Sequence, residues 1–172
     1  MDKIDSVGVK RPSATTFWLI AHQLNARTED QRLHYIRAGF PPGWVRAIRE
    51  AFSLSPRSLE RLLNVSMSTL ERRQRQLQPL DLVSSERLDR VATVAVQAAA
   101  ALGDHATASR WMITRHPALC EQTPIQLCET EIGARQVRRT LRAMTEISDG
   151  YRPPPGPEPF LPATAGQHRW PH

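Results

Sequence analysis

A chain of 172 residues, 40% of them apolar, is long enough for one domain with a full core or for two small ones. Its formal charge of +6 rests on arginine, since Lys3 and Lys10 are the only lysines, and forked guanidinium groups suit phosphate, guanine edges or carboxylates. No apolar run nears the roughly 20 residues of a membrane span, and the opening MDKIDSVGVKRPSATT lacks the apolar centre of a secretory signal; a cytoplasmic protein with no membrane contact is expected.

Residues 1–16 read as a disordered leader of polar and breaker residues. Phe17, Trp18, Leu19, Ile20 and Leu24 predict a short helix, followed by a polar connector from Arg27 to Gln31. Leu33, Ile36 and Phe40 fit a helix broken at Gly39 and Pro41. After Pro41-Pro42-Gly43, the residues Trp44, Val45, Ile48 and Phe52 recur at helical spacing, with Arg46, Arg49 and Glu50 on the polar side.

The stretch LSPRSLERLLNVSMSTLERRQRQ, residues 54–76, carries the clearest local pattern. Ser55 and Pro56 form an N-cap and first-turn signal, and Leu59, Leu62 and Leu63 make an inner face. Asn64 tolerates the left-handed conformation of a tight turn. Ser66 then caps a second helix, whose Leu70 points back into the core. Two short helices around such a turn make a helix-turn-helix, which serves as a DNA reader or as a plain structural corner. Between Arg57 and Arg75 five arginines face two glutamates, Glu60 and Glu71, a positive excess that favours DNA. The residues expected to contact it are Arg57, Ser66, Ser68, Thr69, Arg72, Arg73 and Arg75, with Met67 beside them. Arg72 is assigned to base reading, and Arg57, Arg73 or Arg75 to phosphate.

Ser84, Ser85 and Glu86 are expected to cap a linking helix over residues 84–103. Its Val91, Val94, Ala95, Ala98, Ala99 and Leu102 present a narrow face of small residues. Such a face permits close helix approach inside the fold or across a dimer, and the sequence leaves both open. Beyond Gly103, Trp111 falls on a helix and Pro117 and Leu119 in a break, and Thr123 before Pro124 starts a new helix. Leu119, Ile125, Leu127, Ile132, Val137, Leu141 and Met144 supply the apolar set of a small helical subdomain. Arg135, Arg138, Arg139 and Arg142 flank its last stripe, a pattern found in protein interfaces and at solvated core edges alike. Cys120 and Cys128 make no C-x-x-C pair and read as buried or partly buried thiols. The proline-rich tail, residues 152–172, reads as extended and disordered on its own. Phe160, Leu161 and Trp170 in it are either anchors for a partner or part of a variable terminus.

The order of Trp111, Pro117, Leu119, Thr123, Pro124, Leu127, Glu131, Gly133 and Val137 resembles the C-terminal domain of the Xre/MbcA/ParS-type antitoxins. Upstream, the Thr69-Leu70 step, the Arg72-Arg73 pair, Leu80, Ser84, Glu86, Leu88, Arg90 and Gly103-Asp104 extend the resemblance, which spans roughly Arg32 to Ile147. It implies an all-α fold: an N-terminal Xre-like helix-turn-helix module over 17–83, a long linking helix over 84–103, a small helical C-terminal toxin-binding domain over 104–151, and the tail. It also implies the partners: operator DNA, bound so as to repress the chain's own operon; a cognate toxin of the RES-domain class, which consumes NAD; and a second copy in a homodimer within the toxin–antitoxin complex. Toxin contacts are assigned to Trp111, Arg135, Arg138, Arg139, Arg142, Tyr151, Phe160 and Trp170. The chain departs from the family pattern in its stretched ending, Met144 to Tyr151, and in its tail. A stand-alone helix-turn-helix regulator whose C-terminal domain only dimerises is the alternative. No enzyme is expected, for there is no G-x-S-x-G, P-loop or dinucleotide glycine motif. The six histidines lack the paired spacing of a metal site, so neither metal nor cofactor is assigned.

Overall fold

The structure, a computed structural model, describes residues 14–150 and side chains as far as Glu146. Regular structure among these residues is helical: α1 (Ala14–Asn25), α2 (Glu29–Ala38), α3 (Gly43–Ala51), α4 (Pro56–Leu63), α5 (Met67–Arg75), α6 (Leu82–Leu102), α7 (His105–Ile113), α8 (Pro124–Leu127) and α9 (Glu131–Gly150). A 3-10 turn occupies Pro117–Leu119, and His116 and Gln122 form an isolated bridge. The all-α fold agrees with the sequence reading; residues 1–13 and the tail from Tyr151 lie outside the described residues.

Three boundaries differ from expectation. Helix α1 already includes Ala14, inside the segment read as leader, and buries Phe17, Trp18, Ala21 and Leu24. The polar connector at 27–31 is instead the start of α2. Thr28 and Gln31 make a capping box in which each side chain accepts the other's backbone N–H, with Glu29 and Asp30 in the first turn. Helix α6 starts two residues before Ser84, because its N-cap is Asp81, whose carboxylate accepts the Ser84 N–H at 2.9 Å. Burial works against the Asp81 charge, yet the Ser84 N–H and hydroxyl and the nearby Arg73 together hold its carboxyl below the usual range.

Released from capping, Ser84 and Ser85 are buried and act as staples. The Ser84 hydroxyl donates to the Leu63 carbonyl at 3.1 Å, where α4 ends. The Ser85 hydroxyl accepts the Phe40 N–H at 3.0 Å, just past α2. The start of α6 is therefore locked onto two elements of the N-terminal module, and each bond satisfies a backbone group that burial would otherwise leave unpaired.

Helix α6 is the axis of the molecule, with α1, α2, α4, α7 and α9 packed around it. Val91, Val94, Ala95 and Ala98 are fully buried and Ala99 nearly so. Of the two readings left open for this face, packing inside the fold is the observed one: the chain's own helices cover it, and a second copy cannot. Arg32 on α2 grips the same helix, with Nε to Asp89 Oδ1 at 3.0 Å and Nη2 to Asp89 Oδ2 and Thr93 Oγ1 at 2.6 Å each. This bidentate pair is mostly out of water, so losing one partner would strand a buried charge.

In the C-terminal part, Ala134, Val137 and Leu141 form the inward stripe of α9 at steps of three and four. Two members of the expected apolar set leave the core: Ile132 is 68% exposed and Met144 37%. Helix α9 crosses so close to the end of α8 that a Cβ on Gly133 would lie 2.1 Å from the Leu127 carbonyl oxygen. Only glycine fits there. Thr123 and Gln126 form the capping box that starts α8 behind Pro124. Of the two thiols, both free, Cys128 is buried and Cys120 is exposed; the expectation of burial fails for Cys120 because it sits on the outward loop with φ of 54°. Burial pushes the Cys128 thiol up to about 12.

Candidate functional site

The helix pair α4–α5 is built as the sequence predicts. The Ser55 side chain accepts from Ser58 N at 3.1 Å, and Pro56 fills the first helical position. Asn64 takes φ 57° and ψ 41° to end α4. Ser66 caps α5 through the Thr69 N–H at 3.3 Å, and Leu70 is buried. Glu60, which the sequence presents only as a negative charge, has a definite job: its carboxylate accepts the Met67 N–H at 2.6 Å, fixing the entry of α5 against α4. Ser68, Glu71, Arg72, Gln74 and Arg75 project outward, while Thr69 is half-buried.

The arginines expected to meet DNA separate by what they already hold. Arg57, Arg72 and Arg75 are exposed, and each guanidinium is without a partner among the described residues. Arg73 is not available in this way. It is 24% exposed, pairs with Asp81 at 3.7 Å and donates to the Pro79 carbonyl, tying α5 to the start of α6. Of the arginines expected to meet DNA, Arg73 is thus the one already held by the fold. Ser66 and Ser68 lie 3.1 Å apart at the exposed start of α5, where their hydroxyls organise the helix terminus and still face solvent.

The C-terminal arginines separate likewise. Arg135, Arg139 and Arg142 are exposed and fall with Ile132 on one face of α9, at steps of three, four and three. Arg138 turns the other way and pairs with Glu131 at 2.9 Å, so it is a structural residue and not part of the exposed row. Trp111 is 9% exposed, its ring 4.9 Å from that of His116; it belongs to the core, which removes it from the surface anchors. Tyr151, Phe160 and Trp170 lie outside the described residues.

Two further arginines, unforeseen in this role, join the surfaces. Arg87 donates to the carbonyls of Arg61 and Leu62, both at 3.1 Å, covering the end of α4. Arg90, one turn on and 9% exposed, donates to the Cys128 and Glu129 carbonyls at 3.1 and 3.3 Å and pairs with Glu86 and Glu131. Arg61 and Glu129 close the gap at 3.5 Å. Their signal in sequence is i, i+3 spacing on a helix, which cannot say which distant carbonyls lie within reach. Helix packing also brings together His22 and His105, Nε2 to Nε2 at 2.9 Å, with His105 stacked on Trp18. Among the described residues no group of three or more His, Cys, Asp or Glu could hold a metal ion, and no helix is long and apolar enough to cross a membrane.

The molecule thus pairs a helix-turn-helix, whose outward helix carries free arginines, with a second helical module that exposes another arginine row. Residues 31–92 match the model of the antitoxin Xre-like helix-turn-helix domain, and residues 97–146 that of the antitoxin Xre/MbcA/ParS C-terminal toxin-binding domain. The antitoxin Xre of Pseudomonas putida (strain KT2440) is 32% identical over 116 residues, which cover 67% of this chain and 70% of that protein. The chain belongs to the Xre/MbcA/ParS antitoxin family and carries both of its domains, one for DNA and one for a toxin.

Proposed function

We propose that this chain neutralises a cognate toxin of the RES-domain, NAD-consuming class by covering it with the exposed face of α9, and represses its own operon through α4–α5. It acts by binding and not by catalysis, in the cytoplasm where both partners occur. The proposed toxin contacts are Ile132, Arg135, Arg139 and Arg142, with the tail residues Tyr151, Phe160 and Trp170. The proposed DNA contacts are Arg57, Ser66, Ser68, Thr69, Arg72 and Arg75. The observation that carries the reading is the sorting of the arginines: Arg61, Arg73, Arg87 and Arg90 are tied to carbonyls and carboxylates, whereas Arg57, Arg72 and Arg75 on α4–α5 and the exposed row on α9 are left free for a partner.

A homodimer belongs to the same proposal, because a nine-residue recognition helix reads few base pairs, and two-fold operators repeat the half-site about one helical turn away. With the small-residue face of α6 buried, the second copy is assigned to Leu77, Leu82 and Val83. They are exposed by 83%, 57% and 44% just past the end of α5.

The test is cell growth and NAD content when the neighbouring reading frame is expressed alone and then with this chain. Toxicity with NAD loss, both reversed by co-expression, is the expected result. Relief of toxicity without a change in NAD would keep the antitoxin role and discard the RES class. A neighbour whose toxicity this chain cannot relieve would leave a DNA-binding regulator.

A further inference from the structure

We infer that α3, the helix preceding the helix-turn-helix, provides a second DNA contact: Arg49, across a cleft from Arg75, seats a phosphodiester of the DNA backbone. The inference rests on the proposal that the N-terminal module binds DNA, and it extends that surface to an element the helix-turn-helix pattern does not include.

A cleft of about 800 Å³ opens between α3 and α5. Its floor is apolar, with Leu59 and Leu70 buried and Met67 half-buried. Its rim is charged: Arg46, Arg49 and Glu50 stand on α3, and Glu71 and Arg75 on α5, with the neutral Gln74 beside them. These charges are not equivalent. Arg46 binds Glu50 within its own helix at 2.9 Å, an i, i+4 pair that neutralises both. Arg49 and Arg75 remain, exposed, on opposite walls, each without a partner among the described residues. Glu71 is the one acid on the rim left to oppose them.

Arg49 also lies in the last turn of α3, where the unpaired carbonyls of the helix end favour a cation. The α5 residues that line this cleft are Met67, Leu70, Glu71, Gln74 and Arg75, and Arg72, assigned to base edges, lies with Ser68 on the neighbouring face of the same helix. An element flanking a helix seated in the major groove meets the sugar–phosphate backbone and not the bases. The anion that suits an exposed guanidinium on each wall of the cleft is a backbone phosphate, which accepts forked hydrogen bonds. Such a contact contributes affinity and orientation without sequence preference.

The experiment uses the full chain and two 30-base-pair duplexes, one from the region upstream of its gene and one of mixed sequence. Binding is followed by fluorescence anisotropy between 50 and 200 mM KCl. For Arg49→Gln, folded by its circular dichroism and thermal midpoint, the expected result is several-fold weaker binding to both duplexes by the same factor. The slope of log K against log salt falls by about 0.9, the loss of one phosphate contact. Arg49→Lys restores most of the slope, and Glu71→Gln tightens both complexes. Arg49→Gln with the affinity and slope of the unaltered chain, or with weakening confined to the upstream duplex, overturns the inference while leaving the DNA reading intact. If the unaltered chain binds neither duplex, the DNA reading itself fails and the inference falls with it.

Discussion

Arg72 and Arg73 are neighbours of one chemistry with different work to do, and reach decides between them. The Arg73 guanidinium lies against the Pro79 carbonyl and Asp81, whereas that of Arg72 meets only solvent. Arg73→Ala is therefore expected to lower the thermal midpoint, since it frees the connection between α5 and α6. Arg72→Ala should keep the midpoint and lose about 1–3 kcal/mol of discrimination between operator and mixed-sequence DNA. Circular dichroism melts and anisotropy titrations on the two variants decide it; equal melting losses would erase the distinction. Asp81 offers a check by pH. Its folded carboxyl titrates below the ordinary 3.8, so the unfolded chain takes up the proton first as pH falls. The stabilisation is complete above that ordinary value and is lost as pH drops through the folded one. Asp81→Asn should lower the urea midpoint at pH 7 more than at pH 3, and an equal loss at both would count against a charged cap. The thiols give a third contrast. With Cys128 buried and raised to about 12 and Cys120 exposed, a thiol reagent at pH 8 should label Cys120 alone in the folded chain and both after denaturation.

At the scale of elements, the helices owe their limits to caps and their packing to small residues at crossings. Ser66→Ala removes the acceptor for the Thr69 N–H and should cost about 0.5–2 kcal/mol, read as a lower urea midpoint with weaker DNA binding. The glycines give a sharper comparison. A methyl group at Gly133 would sit 2.1 Å from the Leu127 carbonyl oxygen, whereas one at Gly43 meets nothing within 4 Å. Gly133→Ala must push α9 off α8 and should lower the thermal midpoint and weaken toxin binding together. Gly43→Ala should be neutral or slightly stabilising, because it reduces the freedom of the unfolded chain. Similar melts for the two variants would mean that the crossing of α8 and α9 is looser than its geometry implies.

On the scale of the whole molecule, α6 joins what the two family domains divide. Ser84, Ser85 and Arg87 hold it to the N-terminal module, and Arg90 holds it to the α8–α9 corner. Reversing the exposed row with Arg135→Glu, Arg139→Glu and Arg142→Glu should abolish protection against the toxin in co-expression and leave DNA binding unchanged. Loss of DNA binding in a folded triple variant would mean that the modules do not act separately. The second-copy surface is tested by Leu82→Glu with Val83→Glu, which should give a monomer by light scattering and weaken operator binding more than binding to mixed sequence; a variant that stays dimeric would move the interface elsewhere.

What the sequence determines by itself is whatever depends on neighbours along the chain. The α4-turn-α5 unit is legible because Ser55, Pro56, Asn64 and Ser66 act within a few residues of where they stand, and the inward stripe of α9 because helical periodicity is local. The fixed points from Trp111 to Val137 are legible for the same reason: Pro124 acts at the first position of its own helix, and Gly133 stands six residues from the Leu127 carbonyl it must clear. The capping box at Thr28 was equally local and open to the same reading. What only the tertiary structure decides is which partner a side chain reaches across a gap in sequence. Spacing cannot tell that Trp111 points into the core, that Arg138 and Arg73 are already engaged while Arg139 and Arg72 are free, or that the small face of α6 is covered by α1 and α9 and not by a second copy. A guanidinium on its long stem has the same local signature whether the group it meets is a carbonyl 38 residues away, a phosphate or water. The choice among them is made by helix packing, which burial of apolar surface drives, and not by anything written next to the arginine.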